Sequence, residues 1–167
     1  MRTLLVMRHG KSDWKETGPD DHSRPLAKRG RGAARLMGRF LASCGQTPDL
    51  SIASSAERAR ATVEVAAKAG GWGSPVRTEK ALYDAEPKAV LDVIRAVDDR
   101  VERLLIAGHE PCCSALVSLL AGGGRVRFPT AAVACVVFEQ ASWAQVAAGQ
   151  GELEWLVTPK LLEQLLD

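Results

Sequence analysis

Two short strings place reactive side chains directly after apolar runs. Leu4-Leu5-Val6-Met7 stops in Arg8-His9-Gly10, and Leu104-Leu105-Ile106-Ala107-Gly108 runs into His109-Glu110-Pro111. A third run, Leu50-Ser51-Ile52-Ala53, meets Ser54-Ser55-Ala56-Glu57 and then Arg58. Two imidazoles and two guanidiniums brought together suit phosphoryl transfer. Guanidinium forks match phosphoryl oxygens bidentately, and an imidazole can attack phosphorus and carry it covalently. Arg58 falls in the first turn of an expected helix, where a cation opposes the helix dipole unless an anion binds beside it. A metal ion and a cofactor are not expected, because the two arginines would repel a cation and no carboxylates cluster at these junctions.

The elements that must position these groups are legible from periodicity. Short apolar runs bounded by polar residues and glycine read as buried strands. Their alternation with helical patterns predicts an α/β fold: a mostly parallel sheet with helices on both faces. In such a sheet Arg8, His9, Arg58 and His109 share the carboxyl edge, where open α/β sheets bind ligands. The first strand ends at Met7, a polar loop covers 15–24, and a helix runs from Pro25 to about Ser43. Ser54 and Glu57 have capping-box spacing and open a helix through Lys68. A loop at 70–75 and a short strand at 76–78 come next. A helix at 87–97, a strand ending at Gly108 and a helix from Pro111 to Leu120 follow. Residues 132–138 and 154–157 read as strands of an antiparallel edge hairpin, and Leu161, Leu162, Leu165 and Leu166 as the apolar face of a closing helix. The connections leave no room for a large cap, so 1–167 is read as one domain.

The strings LLVMRHGKSDW, DHSRPLAKRG, SSAERARATVEV and LLIAGHEP, in that order, resemble the histidine phosphatase superfamily, and within it the short SixA-like phosphohistidine phosphatase branch. The resemblance implies a phosphoglycerate mutase-like fold and metal-independent hydrolysis through a phosphohistidine on His9. It also implies that Arg8, Arg58 and His109 hold the phosphoryl oxygens. Two departures stand out. Glu110 occupies a position where many members carry Asn, and the general acid of the larger members has no assigned counterpart, with Asp84, Glu86 and Glu110 the candidates. For attack, His9 must be neutral, whereas a protonated His109 would stabilise the transition state; two nearby arginines lower both pKa values. The expected substrate is phosphohistidine on a partner protein. A small phosphate ester such as a nucleoside or sugar phosphate is the second reading, and a module that binds phosphorylated ligands without turnover is the third.

Lys11 and Ser12 follow the tripeptide as candidate donors to the phosphate. They are not a Walker A loop, which requires glycine where Leu5 stands. Lys28, Arg29, Arg31, Arg35 and Arg39 make a basic helix, either a solvated face or a dock for an acidic partner. Trp14 reads as a loop anchor or a rim contact, and His22 as a polar-loop residue. Over the whole chain, 22 Lys and Arg against 20 Asp and Glu leave +2. That excess calls for neither nucleic acid nor an anionic membrane. No apolar run reaches spanning length, so a cytoplasmic protein is expected. Cys44, Cys112, Cys113 and Cys135 lack the spacing of a metal or disulfide framework and read as reduced thiols. Neither Cys112 nor Cys113 is followed by arginine at the spacing a cysteine-based phosphatase loop needs.

Overall fold

The alternation of faces along the first strand sets the layers. The computed structural model describes residues 1–15 and 20–166. In β1 (Arg2–Arg8), Leu4 and Val6 face one core while Leu5 and Met7 face the other. The same division holds in β2 (Leu50–Ser54) and β4 (Arg103–Gly108). Helices α1 (Lys28–Ser43) and α2 (Glu57–Gly70) cover the Leu5 side through Met37, Leu41, Val63 and Ala66. Helices α3 (Pro87–Arg95) and α4 (Cys112–Leu120) cover the Leu4 side through Leu91, Ile94, Leu116 and Leu120. Each fully buried side chain of this kind contributes roughly 1.5–3 kcal/mol of transfer free energy, so two complete faces hold the strand ends rigidly.

The six-stranded sheet has the order β3-β2-β4-β1-β5-β6, with β3 at Val76–Glu79, β5 at Val133–Phe138 and β6 at Glu152–Val157. Strands β1 to β4 are parallel, and β5 and β6 run antiparallel to their neighbours. This is the α/β architecture expected, edge hairpin included. Registers Arg8↔Gly108 and Ala53↔Ala107 bring the ends of β1, β4 and β2 level. The residues that follow therefore emerge side by side.

Three local expectations are corrected. Ser54 does not cap α2: it belongs to β2, and Ala56 is the N-cap without a side-chain bond. Pro111 precedes α4 as its N-cap residue, after a cis Glu110–Pro111 peptide, instead of lying inside the first turn. The leucines of the closing helix α5 (Pro159–Leu166) do not form a buried face. Leu162 packs on the core, whereas Leu165 is 75% and Leu166 74% exposed. The physical reason is that α5 packs chiefly on α1, so leucines turned away from that helix meet solvent. The loop expected at 15–24 lies partly outside the described residues.

Helix α1 approaches the site closely because of one glycine. A Cβ on Gly30 would stand 2.2 Å from the carbonyl oxygen of Lys11, so Gly30 lets the helix buttress the turn after His9. The Ala27 N–H donates to that same carbonyl at 2.8 Å.

Candidate active site

Parallel pairing delivers Arg8 and His9 from β1, Arg58 from the start of α2 and His109 from the end of β4 to one sheet edge. They line an open cavity of about 250 Å³ together with Lys11, Ser12, Trp14, Arg24, Glu110 and Thr130. Of the sequence-derived candidates, Arg8, His9, Lys11, Ser12, Arg58, His109 and Glu110 thus meet in one cup.

His9 is only 8% exposed, and the His9 and His109 ring centroids lie 5.1 Å apart. Its Nδ1 sits 2.7 Å from the Gly10 carbonyl oxygen. A carbonyl only accepts, so Nδ1 carries the proton and Nε2 keeps its lone pair. Gly10 is held in turn: its N–H donates to the Thr62 hydroxyl at 2.9 Å, and that hydroxyl donates to the Arg58 carbonyl at 2.6 Å. Burial, more than the surrounding charges, lowers the His9 pKa to about 3; the Gly10 bond opposes this, while His109, Arg58 and Arg8 add to it.

Around His109 the proton assignment follows from Arg58. Arg58 Nη2 donates to His109 Nδ1 at 3.3 Å, which leaves the proton on Nε2 to be donated to the Ser54 hydroxyl at 2.8 Å. Burial first, then Arg58, lowers the His109 pKa to about 4, partly offset by Asp21. Both histidine pKa values are thus lowered as expected, with burial and not the arginines as the larger cause, and His109 is neutral in the free site. Removal from water disfavours the imidazolium, and Arg58 occupies the nitrogen that would take the proton.

These two shifts make stability depend on pH. Both histidines would titrate near 6.5 in the unfolded chain but near 3 and 4 in the folded one. Below 6.5 the unfolded chain binds more protons, so stability present above that pH is lost as pH falls. The expected loss is about 1.4 kcal/mol per pH unit for each histidine. Denaturant titrations should show stability falling from pH 7 to pH 5, with the slope steepening toward that value near pH 5 and roughly halved in His9→Asn. A flat profile would remove this account.

Arg58 is 5% exposed and is more than a free anion donor. Nη1 donates to the Asp21 carbonyl at 2.7 Å and Nη2 to the Asp21 carboxylate at 3.1 Å. The Tyr83 hydroxyl donates to the same carboxylate at 2.8 Å, and Arg24 pairs with its other oxygen at 2.9 Å. The Tyr83 bond, burial notwithstanding, and Arg58 together hold the Asp21 carboxyl below its usual range. Arg24 lies over the Trp14 ring, 3.5 Å from its centroid, so Trp14 is both anchor and rim. Arg8 spends one nitrogen on the Phe128 carbonyl at 3.0 Å, which ties down the chain before β5.

Sequence reasoning missed Asp21, Tyr83, Arg24, Ser54 and Thr62 as site residues. The hint lay in the string that begins Asp21-His22-Ser23-Arg24, but nothing in its spacing pairs it with Arg58, 37 positions away. The candidate acids separate. Glu110 directs its two carboxylate oxygens at the Ser114 N–H and hydroxyl, at 2.7 and 2.8 Å, and so caps its own helix. Asp84 joins Asp21 and Tyr83 around a second cavity of about 300 Å³ that shares Arg58, His109 and Glu110 with the cup. Glu86 is the N-cap residue of α3 and lines neither cavity. His22 also stands outside both, with Nε2 2.9 Å from the Ser55 hydroxyl.

Among the described residues no group of three or more His, Cys, Asp or Glu side chains could hold a metal ion. Burial pushes the Cys112 thiol up to about 11, which removes it as a nucleophile at neutral pH. No described helix is long and apolar enough to cross a membrane.

Comparison with known proteins identifies the family and matches the fold. Residues 4–87 match the model of the histidine phosphatase superfamily, branch 1. An uncharacterized protein of Mycobacterium tuberculosis is 37% identical over 164 residues, covering 92% of this chain and 100% of that protein. Among solved structures, the proposed phosphohistidine phosphatase SixA of Nakamurella multipartitia is 26% identical with a TM-score of 0.81, covering 95% of this chain and 96% of that one. A protein histidine phosphatase SixA complexed with tungstate has a TM-score of 0.83 at 24% identity, covering 96% and 99% of the two chains.

Proposed function

We propose, from the premise that the chain belongs to the histidine phosphatase superfamily, that it hydrolyses phosphohistidine on a partner protein. The observation that carries this reading is the bare Nε2 of a buried, neutral His9 beside Arg8 and Arg58. In the proposed reaction Nε2 attacks phosphorus and a new N–P bond forms as the bond to the leaving imidazole breaks. The leaving nitrogen takes a proton from water. A second water then attacks the phosphorus on His9, releasing inorganic phosphate and restoring the neutral ring. Arg8 and Arg58 donate to the phosphoryl oxygens as charge builds on them. The arriving dianion draws Arg58 Nη2 onto the phosphoryl oxygens and raises the His109 pKa, so the freed Nδ1 takes a proton from water and His109 becomes the charged donor only then. Lys11 and Ser12 complete the phosphate contacts from the turn after β1.

The openness of the cup supports a protein substrate. No helix intervenes among the described residues between β1 and α1 or between β2 and α2, and a phosphorylated side chain on a folded partner can enter. An imidazole leaving group also needs less help from a dedicated acid than an alkoxide does, which suits a site whose Glu110 is engaged in capping.

A second reading, a small-ester phosphatase, rests on the second cavity, which Asp84 lines together with His109 and Arg58 as a candidate proton donor to an alkoxide. Side-by-side turnover of a phosphohistidine peptide, a phosphoserine peptide and a panel of small esters separates the two. Higher kcat/KM on phosphohistidine, little changed in Asp84→Asn, is expected. Preference for an ester, lost in Asp84→Asn or Glu110→Gln, would assign the protein to the ester phosphatases.

A further inference from the structure

A groove of about 740 Å³ opens beside the cup and shares Lys11 and Thr130 with it. Four separate segments bring cations to its walls: Lys11 after β1, Arg29 from α1, Arg127 before β5 and Lys160 from α5. Glu163 is the one carboxylate lining it. Four cations less one anion is a local excess of three charges, in a chain whose entire excess is +2. All four cations are exposed, and the ion pairs found among the described residues involve other cations. Positive charge is thus concentrated at the mouth of the cup and left unneutralised there, an arrangement that focuses the field on an incoming anion.

We propose that this groove docks an acidic segment of the phosphorylated partner, so that the protein selects phosphohistidines presented beside Asp and Glu. The inference rests on the phosphatase reading above and names its substrate class. The groove has about three times the volume of the cup. The phosphoryl group enters the cup, which leaves the larger groove beside it for the polypeptide that carries the group. Among the described residues no aromatic side chain lines it, so it lacks the stacking platform on which single-stranded nucleic acid relies. Of the basic helix, Arg29 enters the groove, which turns the dock expected for an acidic partner into a defined place next to the reacting atoms.

The test separates docking from chemistry. Binding of a fluorescent, unphosphorylated peptide rich in Asp and Glu is measured by anisotropy with the cup saturated by vanadate. A Ser/Gln peptide of equal length and a single-stranded oligonucleotide of equal charge are the controls. The variant is Arg29→Gln/Arg127→Gln/Lys160→Gln, which leaves Lys11 and the cup intact and should melt like the parent. The acidic peptide should bind the parent in preference to both controls, weaken with added salt, and bind the variant on the order of tenfold more weakly. Turnover of a neutral phosphohistidine peptide should be the same in parent and variant. Equal binding of acidic and neutral peptides, undiminished binding to the variant, or stronger binding of the oligonucleotide overturns the proposal. Loss of phosphohistidine turnover with acidic-peptide binding intact would overturn the reaction while leaving the dock.

Discussion

His9→Ala should abolish turnover, lowering kcat by about 10,000-fold or more, because no other group in the cup can replace a covalent nucleophile. Cys112 lies outside the cup and has its pKa raised to about 11, and His109 has one ring nitrogen held by Arg58 and the other by Ser54. Rapid quench of the parent with labelled substrate should trap one phosphate on His9, stable to base and labile to acid, at Nε2. The Gly10 carbonyl dictates that nitrogen by claiming Nδ1. Label on a serine or cysteine, or a fully active His9→Ala, would discard the covalent mechanism. The low His9 pKa adds a check on the same experiment: the acid limb of kcat/KM should not reflect a group near 6.5 on His9, since His9 stays neutral down to about pH 3.

Removal of Arg58 should have the next largest effect. A preorganised charged donor aimed at the developing phosphoryl charge contributes roughly 100- to 1,000-fold in kcat. Arg58 is also buried, holds the Asp21 loop through the Asp21 carbonyl and carboxylate, and donates to His109 Nδ1. Arg58→Ala should therefore lose about 1–3 kcal/mol of stability as well. The two losses must be measured separately. Arg58→Lys keeps a cation and most of the packing but loses the planar fork, so it should fold nearly as well as the parent and still lose on the order of tenfold or more in kcat/KM. Parent-like kcat/KM in a folded Arg58→Lys would show that the fork is not needed at phosphorus and that Arg58 acts through Asp21 alone.

The chemistry at each strand end was legible in the linear sequence because it depends on local order. An apolar run followed at once by Arg8-His9 or by His109 states both the strand and what it delivers, and parallel pairing of buried strands then places those ends on one edge. The edge hairpin, the helix layers and the membership of Lys11 and Ser12 in the cup followed from the same local signals. Cap assignments failed where one side chain had two possible partners. Ser54 reads as an N-cap from its spacing to Glu57, yet the end of β4 brings His109 within 2.8 Å of its hydroxyl. The closing helix failed for a related reason: an apolar face in sequence does not say whether anything lies opposite it.

The sequence by itself determined which side chains gather at the carboxyl edge, since strand order and hydrophobic periodicity leave few alternatives. Tertiary structure alone decided their states. His9 is neutral because burial withholds water from its charged form, and His109 is neutral because burial and the Arg58 guanidinium act together on it. Arg58 is oriented by Asp21 and Tyr83, which lie 37 positions before it and 25 positions after it in the chain. Desolvation and hydrogen-bond direction are properties of what surrounds an atom in space, and residues so far apart carry no periodic signal that joins them. The basic groove has the same origin, because its four cations come from four segments that meet only when α1, α5 and the chain before β5 close around the end of β1.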